Sequence, residues 1–274
     1  MAGDNPELGR CIDVNGFQTN YHDVGKGPPV FLIHGSGPGV SAWANWRLNI
    51  PELAKHNRVI APDMLGFGYS ARPEDVIYSM KVWVDHCLGV MDTLGIENAS
   101  IVGNSFGGAL ALAMAIKAPE RVDKLVLMGA VGVNFELTEG LDRAWGYKPS
   151  IEAMRGLLNI FAYNSELVSD DLARLRYEAS IQPGFQESFS SMFPAPRQKG
   201  IRDLASAEAD IRAIPHKTLI IHGFEDAVIP VENSFRFLEL IGNSQLHVFR
   251  KCGHWTQIEH RDTFNALVSG FLSH

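Results

Sequence analysis

Short apolar runs alternate with helical patterns along most of this 274-residue chain. Between the runs, residues 41–55, 79–94 and 106–117 carry apolar side chains at helical spacing. A strand-then-helix alternation predicts an α/β fold whose mainly parallel sheet has helices on both faces. Residues 10–24 are predicted to form an antiparallel edge. The predicted buried strands are VFLIHG (30–35), RVIAPD (58–63), ASIVGN (99–104), DKLVLMG (123–129), TLIIHG (218–223) and QLHVF (245–249).

The alternation stops between residues 134 and 210. The first part of this segment is helical in pattern, and the stretch QPGFQESFSSMFPAPRQKG that follows is rich in turn residues and aromatics. An insertion of this kind, after which the strand pattern resumes, predicts a helical cap over the sheet. We therefore expect a core of residues 1–133 and 211–274, interrupted by a cap of residues 134–210.

The charge of the chain narrows the class of partner. Lys and Arg number 24 against 31 Asp and Glu, which gives a formal charge of −7, and the chain has no basic run. Nucleic acid and an anionic membrane surface are therefore not the expected partners. The expected partner is a small molecule. The sequence leaves open whether the protein is a monomer or a homo-oligomer.

The amino-terminal stretch MAGDNPELGR lacks the basic and apolar regions of a signal peptide, and no segment approaches the roughly 20 apolar residues of a membrane span. We expect a cytoplasmic protein. Cys11, Cys87 and Cys252 share no metal-binding or disulfide spacing, so we expect reduced thiols and no metal site.

The pentapeptide Gly103-Asn104-Ser105-Phe106-Gly107 lies between a predicted strand and a predicted helix. It matches G-x-S-x-G, the nucleophile elbow, which requires that context. Glycines are needed because a sharp turn brings residues two apart into contact and strains the serine between them. The alternative is a structural serine that caps the following helix.

A serine nucleophile needs a base, and the base needs an acid that holds its tautomer. His254 lies in the turn after the last predicted strand, whereas His34 and His222 end strands. Asp226 follows the strand 218–223, with Glu225 as the second candidate. The order Ser105, Asp226, His254 is the order found in α/β-hydrolases, so we predict this catalytic triad.

An oxyanion hole in such a site uses the backbone N–H after the nucleophile and another from an earlier loop. Phe106 supplies the first, and the loop HGSGPG (34–39) offers Ser36 or Gly37 for the second. The same loop fails as a dinucleotide motif because Val40 replaces the last glycine, and it has no Lys-Ser/Thr for a phosphate loop. We predict no cofactor.

Longer motifs, spread over nearly the whole chain, are more specific than the pentapeptide alone. Among them are IHGSGPGVSAWANWR, VGNSFGG, RLRYEASIQPGF, MFPAPRQ and QLHVFRKCGHWTQIEH. With these motifs the chain resembles the meta-cleavage product hydrolases, carbon–carbon bond hydrolases of the α/β-hydrolase fold. The likeness is greatest to the 2-hydroxymuconate semialdehyde hydrolases of aromatic degradation. The resemblance implies a mostly parallel eight-stranded sheet flanked by helices, with a helical cap.

The resemblance also implies a substrate, a 2-hydroxy-6-oxohexa-2,4-dienoate, cleaved to 2-hydroxypenta-2,4-dienoate and a carboxylic acid. In that family the residues that grip the substrate correspond here to Asn45, Asn104, Arg176 and Trp255. A guanidinium suits the carboxylate of an anionic dienoate. By position alone, Arg176 fits a solvated helix face, while Asn45 and Trp255 fit a helix cap or core packing.

Two other functions remain open. A serine carboxylesterase would use the same triad, and a ligand-binding receptor could keep the fold without turnover. Haloalkane dehalogenases and many epoxide hydrolases carry aspartate at the elbow, which Ser105 disfavours. Bulky cap residues also predict a small C6 substituent on the substrate; the candidates are Trp145, Phe161, Tyr163 and Phe193.

Overall fold

A computed structural model describes residues 5–273 of the chain. Its eight strands form one sheet in the order β1-β2-β4-β3-β5-β6-β7-β8, and every neighbouring pair from β4 to β8 is parallel. β1 and β2 pair antiparallel at one edge, as the sequence predicts for residues 10–24. The α/β prediction is confirmed. The strands are β1 (Arg10–Val14), β2 (Phe17–Val24), β3 (Pro29–Ile33), β4 (Arg58–Pro62), β5 (Ala99–Asn104), β6 (Val122–Met128), β7 (Lys217–Gly223) and β8 (Ser244–Phe249).

Helices pack on both faces of this sheet. Alternate residues of the central strands enter two separate apolar clusters: Ile33 belongs to one, and its neighbour Leu32 to the other. This follows from the period of two in a strand. The helices are α1 (Ala42–Trp46), α2 (Ile50–Leu53), α3 (Met80–Thr93), α4 (Phe106–Lys117), α5 (Glu139–Trp145), α6 (Ile151–Phe161), α7 (Asp170–Ser180), α8 (Phe185–Met192), α9 (Gln198–Leu204), α10 (Glu208–Arg212), α11 (Glu232–Leu240), α12 (Thr256–Glu259) and α13 (Arg261–Ser273).

One predicted helix is interrupted. The pattern over 41–55 predicts a single helix, but the structure has α1 and α2 with a break at 47–49. Pro51 lies in the first turn of α2. A proline has no N–H to donate to the preceding turn and its ring crowds that turn, so a new helix begins there instead.

Residues 134–210 contain α5 to α9 and the first residues of α10. The turn-rich part of this segment holds helix α8 and the first residues of α9, two helices that the sequence pattern does not predict. Phe185, Phe189 and Met192 are buried along one side of α8 at helical spacing. The boundary at 210 falls inside α10, and the division into core and cap remains our interpretation.

Residues 1–4, which begin the amino-terminal stretch used to predict location, and the terminal residue 274 lie outside the described residues. No helix within 5–273 has the length and apolar character needed to cross a membrane. Cys11, Cys87 and Cys252 are all unpaired.

Candidate active site

Ser105 occupies a strained turn between β5 and α4. Its φ of 55° and ψ of −114° are rare for a residue with a side chain. A Cβ on Gly103 would lie 2.3 Å from the carbonyl oxygen of Gly107, and a Cβ on Gly107 would lie 2.3 Å from that of Ile33. The glycines are therefore required sterically, as the elbow motif predicts, and the turn presents Ser105 at the carboxyl ends of the strands.

His254 and Asp226 form a buried pair beside this turn. His254 Nδ1 is 2.7 Å from Asp226 Oδ2, and the backbone N–H of His254 donates to the carbonyl of Phe161 at 2.8 Å. An ionised carboxylate only accepts hydrogen bonds, so Nδ1 carries the proton and Nε2 is left free as a base. The two side chains have the geometry of the acid and base of a triad.

Several donors hold Asp226 in its ionised form. Oδ1 accepts the N–H groups of Val228 at 2.8 Å and Ile229 at 2.9 Å, and Oδ2 lies 3.1 Å from Nε2 of His222. Burial raises the pKa of this carboxyl, but the neighbouring His254 and His222 outweigh burial, so its pKa is lowered. Asp226 is thus an anion at neutral pH.

Glu225 points elsewhere. Its Oε2 accepts the N–H of Cys252 at 3.1 Å, and its Oε1 lies 3.6 Å from the guanidinium of Arg250. Of the two acids that the sequence offers, Asp226 is the one in contact with His254.

Ser105 and His254 line one cavity of about 290 Å³, together with the loop after β3. Ser36 and Gly37 line it too, and the Ser36 Oγ accepts the indole N–H of Trp145 at 3.0 Å. Phe106 begins α4, so its N–H has no acceptor within the helix. Of the three residues predicted for the oxyanion hole, Phe106 therefore directly follows Ser105, and Ser36 and Gly37 line the same cavity as Ser105.

Asn45 and Asn104 form a linked pair of amides in the cavity wall. The Asn45 Oδ1 accepts the side-chain N–H of Asn104 at 2.9 Å and the N–H of Gly35 at 3.1 Å. Asn45 Nδ2 and Asn104 Oδ1 are buried without a hydrogen-bond partner. An unpaired buried donor and acceptor are costly unless a ligand satisfies them.

Arg176 and Trp255 also line the cavity. Arg176 does not lie on a solvated helix face: its Nη1 donates to Glu7 Oε1 at 2.8 Å and its Nη2 donates to the carbonyl of Gly39. The ring of Trp255 packs 5.5 Å from that of Phe161. All four residues predicted to grip the substrate are thus brought to one cavity.

A family model for the alpha/beta hydrolase fold matches residues 28–261. A 2-hydroxymuconate semialdehyde hydrolase of Pseudomonas sp. strain CF600 is 63% identical over 268 residues, which cover 98% of this chain and 95% of that protein. A 2-hydroxy-6-oxo-2,4-heptadienoate hydrolase of Pseudomonas putida is 58% identical, with coverage of 100% and 99%. A solved serine-to-alanine mutant of the meta-cleavage product hydrolase from Pseudomonas fluorescens, complexed with acetates, superposes with a TM-score of 0.98 at 64% identity and covers 98% of this chain and 99% of that one. The chain belongs to the meta-cleavage product hydrolases.

The structure adds residues that sequence reasoning missed in this hydrolase. Gly129 follows β6 with a φ of +50°, and a Cβ there would lie 3.2 Å from the imidazole of His254. His222 ends β7 and was set aside for that reason, yet it contacts Asp226. A glycine after a strand and a histidine four residues before an acid are weak signals, because only the fold brings them to the triad.

Two further residues fix the loops of the site. The Nε2 of His34 accepts the N–H of Met64 at 3.0 Å, so its Nδ1 carries the proton and donates to the carbonyl of Gly35 at 2.8 Å. Glu259 accepts the N–H of Gly253 at 2.7 Å and that of Asn164 at 2.9 Å. The carboxylate of Glu259 therefore ties the loop that carries His254 to the segment after α6.

Proposed function

We propose that this hydrolase cleaves the C5–C6 bond of 2-hydroxy-6-oxohexa-2,4-dienoates, the ring-fission products of aromatic degradation, to 2-hydroxypenta-2,4-dienoate and a carboxylic acid. Its relatives are named for substrates of this class. The observation that carries the proposal is that Ser105 and the Asp226-bound His254 share one cavity with two guanidinium groups, those of Arg47 and Arg176. A hydrolytic triad beside cationic groups suits an anionic substrate.

Carbon is a poor leaving group, so the substrate must first become able to accept the electron pair. When the 2-hydroxyl becomes a ketone and C5 gains a proton, cleavage can release an enolate. Water then supplies OH to C6 and a proton to the departing fragment, so one water is consumed for each bond broken. The unpaired Asn45 Nδ2 and Asn104 Oδ1 are suited to the 2-oxygen in its ketone and hydroxyl forms.

In this proposal Ser105 attacks C6 while His254 Nε2 accepts its proton. The oxyanion that develops on C6 is stabilised by the N–H of Phe106 and by that of Ser36 or Gly37. Arg176 and Trp255 complete the binding of the dienoate. No step requires a metal or an organic cofactor.

The direct test is loss of the yellow dienolate absorbance when the enzyme meets 2-hydroxymuconate semialdehyde. Ser105→Ala should reduce kcat by several powers of ten, because the nucleophile carries much of a triad's contribution. Ser100→Ala is a matched control, since Ser100 Oγ bonds to Asp123 away from the cavity. Near-normal product formation by Ser105→Ala would overturn the proposal. Partial ketonisation of the substrate is expected to survive in that variant, because a proton shift needs a base more than a nucleophile.

A serine carboxylesterase is the competing function, because the same triad hydrolyses esters. The ratio of kcat/KM for the dienoate to that for a p-nitrophenyl ester separates the two. We expect the dienoate to be preferred; a clear preference for the ester would favour the alternative.

We further propose that aldehyde and methyl-ketone substrates are preferred over the 6-phenyl compound. Of the four bulky residues named from the sequence, Phe161 lines the cavity, whereas Tyr163 is 51% exposed and Phe193 packs on Trp145 with ring centroids 4.3 Å apart. The cavity volume of about 290 Å³ is at the small end for ligand sites. A phenyl group must displace packed side chains, at a cost of roughly 1–3 kcal/mol or about 10- to 200-fold in kcat/KM. Equal or better turnover of the 6-phenyl substrate would contradict this.

We also propose a cytoplasmic location, which the three unpaired cysteines support. The oligomeric state stays open between a monomer and a homo-oligomer.

A further inference from the structure

The cavity carries more positive charge than the motifs indicate. Among the described residues that line it, the ionisable side chains are Arg47, Arg176 and His254, and none of them is acidic. The family resemblance implies a role for Arg176 in binding the substrate carboxylate and implies none for Arg47. The two arginines differ in how the protein compensates their charge.

Arg176 is compensated by the protein itself. Its side chain is 13% exposed, and its guanidinium pairs with Glu7, whose side chain is 12% exposed. The other carboxylate oxygen of Glu7 accepts the hydroxyl proton of Ser41 at 2.6 Å, which fixes the carboxylate against the core. Two directions of the Arg176 fork are thus occupied, by Glu7 and by the carbonyl of Gly39.

Arg47 directly follows α1 and has no such partner. Its Nη1 donates to the carbonyl of Ala44 at 2.7 Å, and it forms no ion pair with any residue in the range 5–273. Burial lowers the pKa of Arg47, repulsion from Arg176 lowers it further, and Glu7 partly opposes both. The group stays a cation at neutral pH, held in a partly desolvated wall without a carboxylate in contact.

A cation in that position gains more from an arriving anion than one that is already paired. Together, Arg47, Arg176 and Glu7 carry a net charge of +1, which one carboxylate would neutralise. We propose that Arg47 is a ligand of the substrate carboxylate, acting with Arg176, while Glu7 is a positioning residue that fixes Arg176. This inference rests on the proposed function for the identity of the substrate, and not for the existence of the anion site.

The test uses two substitutions. Arg47→Met keeps a long side chain but removes its charge, and Arg47→Lys keeps the charge but removes the planar guanidinium group. Arg10→Met is the matched control, because Arg10 is an exposed arginine whose ion pair with Asp23 lies outside the cavity lining. Each variant is assayed with 2-hydroxymuconate semialdehyde and with an uncharged p-nitrophenyl ester. The ester needs the triad but has no carboxylate to bind.

We expect Arg47→Met to raise KM for the dienoate about 10- to 100-fold, the usual cost of a hydrogen bond to a charged group, with a smaller change in kcat. Turnover of the ester should stay within about twofold of wild type, and Arg47→Lys should fall between wild type and Arg47→Met. An unchanged dienoate KM, or an equal loss on both substrates, would overturn the proposal. If Arg47→Met does not fold, Arg47→Gln makes the same comparison.

A second measurement separates this inference from the proposed function. Sorbate is a mono-anionic dienoate with no 6-oxo group, so it offers a carboxylate to the proposed anion site but no carbonyl carbon for Ser105 to attack. Its neutral counterpart is 2,4-hexadien-1-ol. Both are tested as competitive inhibitors of ester hydrolysis. Arg47→Met should weaken inhibition by sorbate about tenfold or more and leave that by the alcohol unchanged. If the wild-type enzyme does not cleave the dienoate but sorbate inhibits it more strongly than it inhibits Arg47→Met, the proposed function fails and the anion site stands. If sorbate inhibits the wild-type enzyme and Arg47→Met equally, the anion site fails.

Discussion

Replacing Asp226 by asparagine should disable this hydrolase while leaving its shape intact. The carboxylate accepts hydrogen bonds from two backbone N–H groups and lies 2.7 Å from His254 Nδ1 and 3.1 Å from His222 Nε2. An asparagine oxygen can keep the backbone contacts, but its NH₂ group must then face two imidazole N–H donors. His254 relieves the conflict by moving its proton to Nε2, the atom that must act as the base.

A wrong tautomer of this kind costs about 10⁴-fold in kcat in a serine hydrolase, or about 5 kcal/mol of transition-state stabilisation. The assay is the initial rate of dienolate bleaching, with circular dichroism to confirm folding. Glu225→Gln is the control in the adjacent position: its amide oxygen can still accept the N–H of Cys252, so kcat should stay within a few-fold of wild type. If Asp226→Asn keeps more than a tenth of the activity, or Glu225→Gln loses as much as Asp226→Asn, the acid is wrongly assigned.

Three further outcomes are expected. Gly129→Ala should reduce kcat at least tenfold with a smaller change in KM, because its Cβ would press on the catalytic imidazole from a backbone of φ +50°; an unchanged kcat would show that the imidazole moves freely. Acidification from pH 6.5 to 4 should lower the free energy of unfolding by about 3 kcal/mol in denaturant titrations. The unfolded chain protonates His34 and His86, whose native pKa values burial lowers to about 4, and Asp63, whose native pKa burial raises to about 6, offsets part of that loss. A stability that rises on acidification would contradict this balance. Glu7→Gln should lower Tm by a few degrees and strengthen inhibition by sorbate several-fold. The amide oxygen can still accept from Arg176, while the site formed by Arg47 and Arg176 loses one negative charge; weaker inhibition would mean that the loss of Arg176 positioning outweighs the change in charge.

The parts of the site that could be predicted from the sequence are those whose residues lie close together within one loop. Gly103 and Gly107 flank Ser105 within five residues, so the steric demand of the turn appears in the sequence itself. Asp226 and His254 each follow a predicted strand, and the carboxyl ends of parallel strands meet at one edge of the sheet. Local pattern and sheet topology were therefore enough to nominate the triad.

What the sequence could not supply depends on contacts between distant segments. Glu7 and Arg176 are 169 positions apart, and no periodicity connects a residue before the first strand with one on a cap helix. The sequence predicts Asp226 and keeps Glu225 as the second candidate, but the contact with His254 depends on how the chain turns after β7. Helix α8 was missed for another reason: its apolar residues Phe185, Phe189 and Met192 are separated by serines and glutamine, which suggest a turn.

Two buried carboxylates in this protein show what keeps Asp226, the acid of the proposed triad, ionised. Asp63 accepts hydrogen bonds from the N–H groups of Ala42 and Tyr69 and from the side chain of Asn20, yet burial still raises its pKa to about 6. Asp226 is also buried and also accepts backbone N–H groups, but its pKa is lowered. The difference is the pair of imidazoles at its second oxygen. Backbone and amide donors leave Asp63 with a raised pKa, whereas the two imidazoles at Oδ2 of Asp226 lower its pKa. His222 therefore has a role beyond packing, because together with His254 it favours the ionised form of Asp226. In the proposed mechanism, a negative Asp226 in turn stabilises the imidazolium that forms when His254 takes the proton of Ser105.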